Sequence, residues 1–333
     1  MTNLLLLGGT LLVLAAVIPC WAGDPENLTP IVFATFAGDE HELSNALLMA
    51  ESIRTFGGAY SKAPIWVYGP AGLAAEHSAA PGKAASLGVE VRAGSAPEDA
   101  AWFYYSAKVY AAGLAEAEAD GKTAILAWLD EDTIMLQEPG EFILPAAKTL
   151  GYRPVMHRNV GVTYGEPLDG FWARVFEKLG VPDSTAFPMV TPADGDTIRP
   201  YFNAGCMVVR PGRGLLRKWG DCFSVVYRDS VLTAMCREDV KKRIFIHQVA
   251  LTGAILAHLE AREMAELSDR FNYPIFFQQM FEAKREFNDI TGVVTFRHES
   301  YFKKPMPDWH LRLKGPADRI SWMREHLAAK ASD

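Results

Sequence analysis

The sequence feature that most constrains the fold is an alternation of short apolar segments with helical segments. Apolar runs of strand length lie at Pro30–Gly38, Ala63–Pro70 and Thr123–Asp130, and "GVEVRAG" is a weaker one. After the first run, Asp39 and Glu42 have the spacing of a helix N-cap and its reciprocal partner. Fully apolar strands that alternate with helices predict an α/β fold: a single domain with a central, mostly parallel, twisted sheet flanked by helices.

Three carboxylates, Asp130, Glu131 and Asp132, directly follow the apolar run Ile125–Leu129. The segment before that run, Phe103–Gly121, has a helical pattern. Ligands of parallel sheets bind beyond the carboxyl ends of the strands, and two carboxylates spaced i, i+2 can point toward one hard cation. Alone, an Asp-x-Asp is more often a solvated turn. A metal site is therefore predicted only in combination with other motifs.

The charge of the chain excludes one class of partner. The net charge is −7 over 333 residues, and the sequence contains no extended block of Lys and Arg residues. Phosphate backbones are bound by clustered basic residues, so nucleic acid is not expected as a partner. A nucleotide remains compatible, because one metal ion and a few donors can hold a diphosphate.

The N-terminus has the pattern of a targeting segment. Leu4–Ile18 is almost entirely apolar and is followed by "PCWAGDPENLTP". This pattern predicts a signal peptide or short anchor at residues 1–22, with possible membrane association through residues 4–18. The protein would then be secreted, periplasmic or anchored in a secretory lumen. If the segment is instead a buried strand or helix, the protein is cytoplasmic.

Cys206, Cys222 and Cys236 remain if residues 1–22 are removed. Cys222 and Cys236 could close a short loop in an oxidising compartment, whereas Cys206 is expected to be a buried thiol. No Cys-x-x-Cys is present in the sequence, so a zinc–thiolate site is not expected.

Further motifs follow the acidic triplet in a set order: "IRPYFNAGCMVVRPG", "IHQVALTGAIL", "RFNYPIFF" and "RHESYFKKPMPDW". This series resembles the nucleotide-sugar glycosyltransferases of the A-type fold, most closely the glycogenin and galactosyltransferase group called family 8. The resemblance covers most of residues 30–310 and lies in the order and spacing of the motifs. It implies that residues 23–333 form a glycosyltransferase-like domain. That domain would move a sugar from a nucleoside-diphosphate sugar to a carbohydrate or glycosylated acceptor.

The resemblance also implies a metal, Mn²⁺ or Mg²⁺. Asp130 and Asp132 match the two metal-binding aspartates, and His298 matches the late histidine that completes the site. A divalent cation on these ligands would neutralise the charge that a leaving diphosphate gains.

Five further residues are predicted to contact the donor. By resemblance, Asn203 and Gly205 belong to the strand that faces the donor sugar, and Gln248 is the glutamine of an Asp-Gln pair. Lys304 matches a lysine that contacts the diphosphate, and Lys108, on the helix before the acidic strand, could reach a phosphate. We assign Asn203 and Gln248 to catalysis, and the other three to the donor.

The chain departs from the family pattern at three positions. His247 stands where the aspartate of the Asp-Gln pair is expected, Tyr301 replaces a glycine, and Met306 replaces a tryptophan. Two alternatives therefore stay open. One is a noncatalytic A-type domain that binds a carbohydrate or a partner, and the other is a nucleotidyltransferase, against which no G-x-x-x-x-G-K loop is found.

Overall fold

The computed structural model describes residues 28–73, 80–277, 286–299 and 308–327. Within these ranges the strands are β1 Thr29–Phe36, β2 Ile65–Gly69, β3 Val89–Ala93, β4 Thr123–Leu129, β5 Thr133–Met135, β6 Leu150–Pro154, β7 Met189–Val190, β8 Thr197–Ile198, β9 Phe202–Val209, β10 Met264–Glu266 and β11 Thr295–Arg297. The α-helices are α1 Glu40–Phe56, α2 Ala80–Leu87, α3 Ser106–Ala119, α4 Gly170–Leu179, α5 Leu215–Tyr227, α6 Ser230–Glu238, α7 Val240–His258, α8 Trp309–Arg312 and α9 Ala317–Leu327. Single 3₁₀ turns lie at Gly58–Tyr60, Glu98–Ala100, Gly140–Phe142, Asp183–Thr185, Pro211–Arg213 and Ala261–Glu263.

Seven strands form the central sheet, in the order β10-β6-β9-β4-β1-β2-β3. All neighbouring pairs are parallel except those of β9, which is antiparallel to both β4 and β6. In the register, Ala34 of β1 lies opposite Trp128 of β4, and Cys206 of β9 lies opposite Leu129 of β4. The mostly parallel sheet confirms the predicted α/β fold class. Because β9 runs the other way, its first residues lie at the same edge as the last residues of β4.

Two apolar cores, one on each face of the sheet, explain why β4 is apolar throughout. Leu126 and Trp128 pack in a core with residues of α3, α5 and α7. Ile125, Ala127 and Leu129 pack in the opposite core with residues of α1. Successive side chains of a strand point to opposite faces, so a strand covered on both sides needs apolar residues at every position.

Helix α1 begins where the sequence predicts. Asp39 caps it, because its Oδ1 accepts a hydrogen bond from the Glu42 backbone N–H at 2.9 Å. The carboxylate of Glu42 accepts from the backbone N–H of Gly38 at 2.6 Å, one residue before the cap that a capping box would use. The helix ends at Phe56, with Gly57 as its C-cap.

Helix α3 begins later than the predicted Phe103, at Ser106. Tyr105 directly precedes it with φ of 61°, in the left-handed region, where a non-glycine residue cannot continue a right-handed helix. The later start places Lys108 in the first turn of the helix, close to the edge of the sheet.

A two-stranded sheet ties a late part of the chain to the end of β4. Strand β5 follows the acidic triplet and pairs antiparallel with β11, with Thr133 opposite Arg297. A third apolar core lies around this pair and includes Ile134, Phe296 and Trp309. The pairing fixes Arg297 beside the acidic triplet.

The three later cysteines are buried and free. The expected bridge between Cys222 and Cys236 is therefore not formed, whereas the expectation of a buried thiol at Cys206 is confirmed. Burial raises the pKa of the Cys206 thiol to about 12 and that of the Cys222 thiol to about 11. Thiols held in the protonated form are poor nucleophiles.

Several predictions fall outside the described ranges. Residues 1–22, with the expected signal or anchor, and Lys304 are among them. The boundary of a domain at residues 23–333 stays a prediction. Within the described ranges, no helix combines the length and the apolar character that crossing a bilayer requires.

Candidate active site

A cleft of about 690 Å³ opens at the edge of the sheet where β1 and β4 end and β9 begins. It is lined by residues that follow β1, by the start of α3, by the acidic triplet, by α7 and by the segment after β11. Parallel sheets bind ligands beyond the carboxyl ends of their strands, so the position of the cleft agrees with the sequence-based expectation.

Asp130 is held at the end of β4 by its close fit against β9. Its backbone N–H donates to the Gly205 carbonyl at 2.9 Å, which continues the pairing of β4 with β9. A Cβ atom at Gly205 would lie 2.0 Å from Oδ2 of Asp130. Gly205 itself is not among the residues that line the cleft. The absence of a side chain at Gly205 therefore makes room for the Asp130 carboxylate, and the contact of Gly205 with a donor stays a prediction.

Arg297 bridges the two aspartates of the triplet. Its Nη1 lies 2.8 Å from Oδ2 of Asp130, and its Nε donates to Oδ1 of Asp132 at 2.7 Å. Both carboxylates are buried, with Asp130 5% and Asp132 1% exposed, whereas the Arg297 side chain is 27% exposed toward the cleft. Planar guanidinium groups suit such paired contacts with carboxylates.

Lys108 is the second cation of the cluster. It is buried in the first turn of α3, and its Nζ donates to Oδ1 of Asp130. Burial by itself would raise the pKa of Asp130, but Arg297 and Lys108 outweigh it and hold that pKa below its usual value. In the same way, burial would lower the pKa of Arg297, but Asp130 and Asp132 raise it well above its usual value. Both members of the pair therefore stay charged.

Glu131 lines the cleft between the two aspartates without a cation of its own among the described residues. Burial, and then the charges of Asp132 and Asp130, raise its pKa well above the usual range. A carboxyl group held in the protonated form can donate a hydrogen bond to a ligand, which its ionised neighbours cannot do.

Asn203 and Gln248 lie side by side on the wall formed by β9 and α7. Oδ1 of Asn203 accepts from the Gly205 backbone N–H at 2.8 Å, and Oε1 of Gln248 accepts from the Ala204 N–H at 3.1 Å. Because these oxygens already accept hydrogen bonds, the NH₂ groups of the two side chains remain as donors. Both residues line the cleft.

His247 lines the cleft next to Gln248 and is nearly inaccessible to solvent. Its Nδ1 lies 2.8 Å from the Ile244 carbonyl, which fixes the proton on that nitrogen, since a carbonyl only accepts. Burial, followed by the charge of Lys108, lowers its pKa to about 3. The ring stays neutral near pH 7, and it contacts the ring of Tyr105 with centroids 4.8 Å apart.

The structure does not bring the three predicted metal ligands together. Among the described residues, no group of three His, Cys, Asp or Glu side chains could hold a metal ion. The His298 backbone N–H donates to the Asp132 carbonyl at 2.9 Å, but its buried side chain lies outside the cleft lining, between Arg297 and Glu299, which belong to it. His298 directly follows β11 and already has helical conformation, so it does not share the strand geometry that places Arg297 beside the triplet.

The remaining two carboxylates do not suit a divalent metal in this arrangement. Three of their four oxygens already hold cationic donors: Lys108 on Oδ1 of Asp130, and Arg297 on Oδ2 of Asp130 and Oδ1 of Asp132. Hard cations need free carboxylate oxygens as ligands. We therefore derive no catalytic step from a bound metal.

Arg297 was not predicted from the sequence, although it immediately precedes the predicted His298. Its contact with Asp132 depends on the pairing of β5 with β11, and the two residues are 165 positions apart. The local sequence gives no signal for a contact over this distance along the chain.

Three of the solved structures that match this chain are glycosyltransferases of low sequence identity. An active-site mutant of LgtC is 17% identical with a TM-score of 0.46, over 90% of this chain and 96% of that chain. The galactosyltransferase LgtC with donor and acceptor sugar analogs is 16% identical with a TM-score of 0.44, over 91% and 95%. Mouse xyloside xylosyltransferase 1, in the apo form, is 12% identical with a TM-score of 0.41, over 80% and 96%.

A search of curated proteins finds no significant match. The family model described as "Rhodobacterales glycosyltransferase domain" matches residues 34–258, which is more than half of the chain. The matched region includes Lys108, the acidic triplet, Asn203 and Gln248, all at the cleft. The chain therefore belongs to the Rhodobacterales glycosyltransferase family, and it is a glycosyltransferase.

Proposed function

We propose that the protein transfers a sugar from a nucleoside-diphosphate sugar to the hydroxyl group of a carbohydrate acceptor in the cleft at the end of β4. The observation that carries the proposal is the cluster of Asp130, Asp132, Arg297 and Lys108 at the centre of a 690 Å³ cleft. A cleft of this size accommodates a nucleotide sugar, and cations at its base suit a diphosphate.

The reaction breaks the bond between the anomeric carbon and the diphosphate oxygen, which leaves with both electrons. The acceptor oxygen forms the new bond to the anomeric carbon and gives up its proton to the departing diphosphate. With the diphosphate bound beside the acidic triplet, the leaving oxygen would lie near Arg297 and Lys108, which line the cleft there. Charge that develops on the leaving group is thereby stabilised by fixed donors.

Asn203, Gln248 and His247 form the wall that would hold the sugar. The two amides present N–H donors. The neutral His247 ring presents Nε2 as an acceptor, because its Nδ1–H donates to the Ile244 carbonyl. A sugar hydroxyl is both donor and acceptor, so this mixed set can orient it. An acceptor nitrogen at His247 is a neutral replacement for the aspartate that the family resemblance leads one to expect at this position.

The test is a donor screen with the purified full-length protein. Nucleoside-diphosphate sugars of several bases and sugars are incubated with carbohydrate acceptors, and release of the nucleoside diphosphate is measured. We expect turnover of at least one donor. An Asn203→Ala variant should lose turnover, whereas Asn288→Ala, in a segment outside the cleft, should not.

Other outcomes would identify other functions. In a parallel reaction with a nucleoside triphosphate and a sugar phosphate, release of pyrophosphate with transfer of the nucleotidyl group would contradict glycosyl transfer and favour the nucleotidyltransferase. Carbohydrate binding without turnover of any donor would favour a noncatalytic domain.

We also propose that residues 1–22 direct export, on the grounds of the apolar run Leu4–Ile18. Mass spectrometry of the protein from its native host measures the mature N-terminus. An intact N-terminus on a cytosolic protein would contradict export.

A further inference from the structure

We propose that Arg297 takes the place of the divalent metal, so that the protein binds the donor diphosphate through its own cations and without a metal ion. The inference rests on the proposed function, because it assigns the charge that faces the diphosphate in that same cleft. It makes Arg297 a catalytic residue, with Lys108 as its partner.

The guanidinium of Arg297 lies between two buried carboxylates, 2.8 Å from Asp130 Oδ2 and 2.7 Å from Asp132 Oδ1. Lys108 occupies the other oxygen of Asp130. A bridging metal ion would have to sit among the same oxygens, at about 2.0–2.6 Å from them. The guanidinium and a metal therefore compete for one place.

The charges of the cluster cancel without a metal ion. Arg297 and Lys108 together contribute two positive charges, and Asp130 and Asp132 contribute two negative charges, so these four side chains are neutral as a set. Two carboxylates with a divalent ion are also neutral. A metal added to the existing set would bring two uncompensated positive charges into a buried cluster, which is unfavourable. These four side chains thus leave no net charge for a metal ion to neutralise.

Arg297 has donors that the aspartates do not use. A guanidinium has five N–H donors, and Arg297 directs Nε and Nη1 at the aspartates. Nη2 makes no hydrogen bond within the part of the chain that the structure describes, and the side chain lines the cleft at 27% exposure. Donors of Arg297 that the aspartates do not use are therefore available to a diphosphate in the cleft that this side chain lines.

During transfer, the electron pair of the broken bond stays on the diphosphate oxygen, and the acceptor hydroxyl supplies the new bond and loses its proton to the departing diphosphate. Arg297 changes neither its protonation nor its bonding in this step. It acts as a fixed positive charge, which is the part that a metal ion plays elsewhere.

The direct test measures Mn²⁺ binding by electron paramagnetic resonance. Full-length wild type and Arg297→Ala are treated with EDTA and desalted before titration with Mn²⁺. We expect Arg297→Ala to bind Mn²⁺ at least about tenfold more tightly than wild type, because removal of the guanidinium leaves two buried carboxylates that only a cation can stabilise. Arg270→Ala, which removes an arginine outside this cluster, should behave as wild type.

A second variant, Arg297→Gln, tests the proposal if Arg297→Ala does not fold. It keeps most of the side-chain length but removes the charge, and it should also gain Mn²⁺ affinity. Wild-type protein that binds Mn²⁺ as tightly as either variant would overturn the proposal, since the guanidinium would then yield its place to the metal.

Binding of the diphosphate separates this inference from the proposed function. Calorimetry with UDP and GDP as probes should show the same affinity for wild type in EDTA and in Mn²⁺. Arg297→Ala should lose about tenfold or more in EDTA, by loss of a charge-assisted contact, and should recover in Mn²⁺. A wild type that binds only with Mn²⁺ would overturn the inference alone. A wild type that binds no nucleoside diphosphate or sugar donor in either condition would overturn the proposed function, while the Mn²⁺ titrations would still decide what occupies the carboxylates.

Discussion

Two buried aspartates of this protein, Asp130 and Asp229, each bind one arginine and one lysine, yet they serve different purposes. Asp130 binds Arg297 and Lys108 at the cleft. Asp229 binds Arg174 at 2.7 Å and Lys178 at 3.0 Å, on the side where α4 meets α6.

The difference lies in the other partners of each carboxylate. Oδ1 of Asp229 also accepts the backbone N–H groups of Val231 and Leu232, both at 3.1 Å, and so caps α6. Asp130 has instead two carboxyl neighbours, Glu131 and Asp132, and an open cleft. The comparison teaches that equal ion pairs do not mean equal roles. A carboxylate that also caps a helix is structural, whereas one placed among like charges depends on its cations and favours a functional site.

The largest expected effect is that of Gly205→Ala, which would break the functional cluster without removing any charge. The new Cβ would lie 2.0 Å from Asp130 Oδ2, so the carboxylate must move away from Arg297. Displacement of catalytic groups by about 1 Å costs on the order of a hundredfold in rate, and we expect donor turnover to fall by that amount.

The control for this variant is Gly140→Ala, where a Cβ would meet no atom within 4 Å. Turnover and melting temperature of Gly140→Ala should match wild type. Full activity in Gly205→Ala would show that the position of Asp130 does not matter for the reaction.

Asp229→Ala sharpens the comparison from the structural side. Loss of the α6 cap and of two partly exposed ion pairs should lower the free energy of unfolding by roughly 2 kcal/mol, with unchanged turnover per folded molecule. Urea denaturation measures the change. Hydrogen bonding to Arg174 holds the pKa of Asp229 below its usual value. Its contribution is therefore present above about pH 4 and is lost as the pH falls below that value.

Glu116 is an intermediate case, a buried carboxyl with weak compensation. Its Oε2 accepts the Arg217 backbone N–H at 2.9 Å, and the Arg217 Nε lies 3.4 Å away. Burial raises the pKa of Glu116 to about 7, against which these contacts act only in part. The folded state therefore holds the proton more tightly than the unfolded state, and stability falls as the pH rises from about 4.5 to 7.

Glu116→Gln should remove this pH dependence. We expect the variant to match wild type near pH 5 and to exceed it by about 2 kcal/mol at pH 8, measured by urea denaturation at both values. Parallel curves for the two proteins would mean that Glu116 stays ionised in the fold, and that Arg217 compensates the charge fully.

The smallest effect is expected for Asp169→Ala, which removes a helix cap that has no ion pair among the described residues. Oδ1 of Asp169 accepts the Trp172 backbone N–H at 2.9 Å at the start of α4. Its loss should cost about 1 kcal/mol, and Asp169→Asn should retain most of that. A cost equal to that of Asp229→Ala would show that capping, and not the ion pairs, accounts for the stability at Asp229.

Local features of the fold were predictable from the sequence. The apolar run before Asp130 and the cap at Asp39 depend on neighbouring residues only, and the structure places β4 and α1 there. The start of α3 was not predictable, because the left-handed conformation of Tyr105 breaks a pattern that is helical from Phe103 onward.

The site was predictable in part. Lys108, Asp130, Asp132, Asn203 and Gln248 all line one cleft, as expected of residues that follow strand ends in a parallel sheet. Their roles at the site remain predictions. The contact of Arg297 with the triplet could not be predicted, because it depends on the long-range pairing of β5 with β11.

The distance along the chain between Arg297 and its aspartates affects the order of folding on the ribosome. Asp132 leaves the exit tunnel 165 residues before the arginine that contacts it. Until then the nascent sheet carries like charges that repel one another at its edge, and long-range contacts of this kind form late. Assembly of this charged cluster is therefore among the last events of biosynthesis, and a chain released prematurely before residue 297 is left with an electrostatically unbalanced sheet edge.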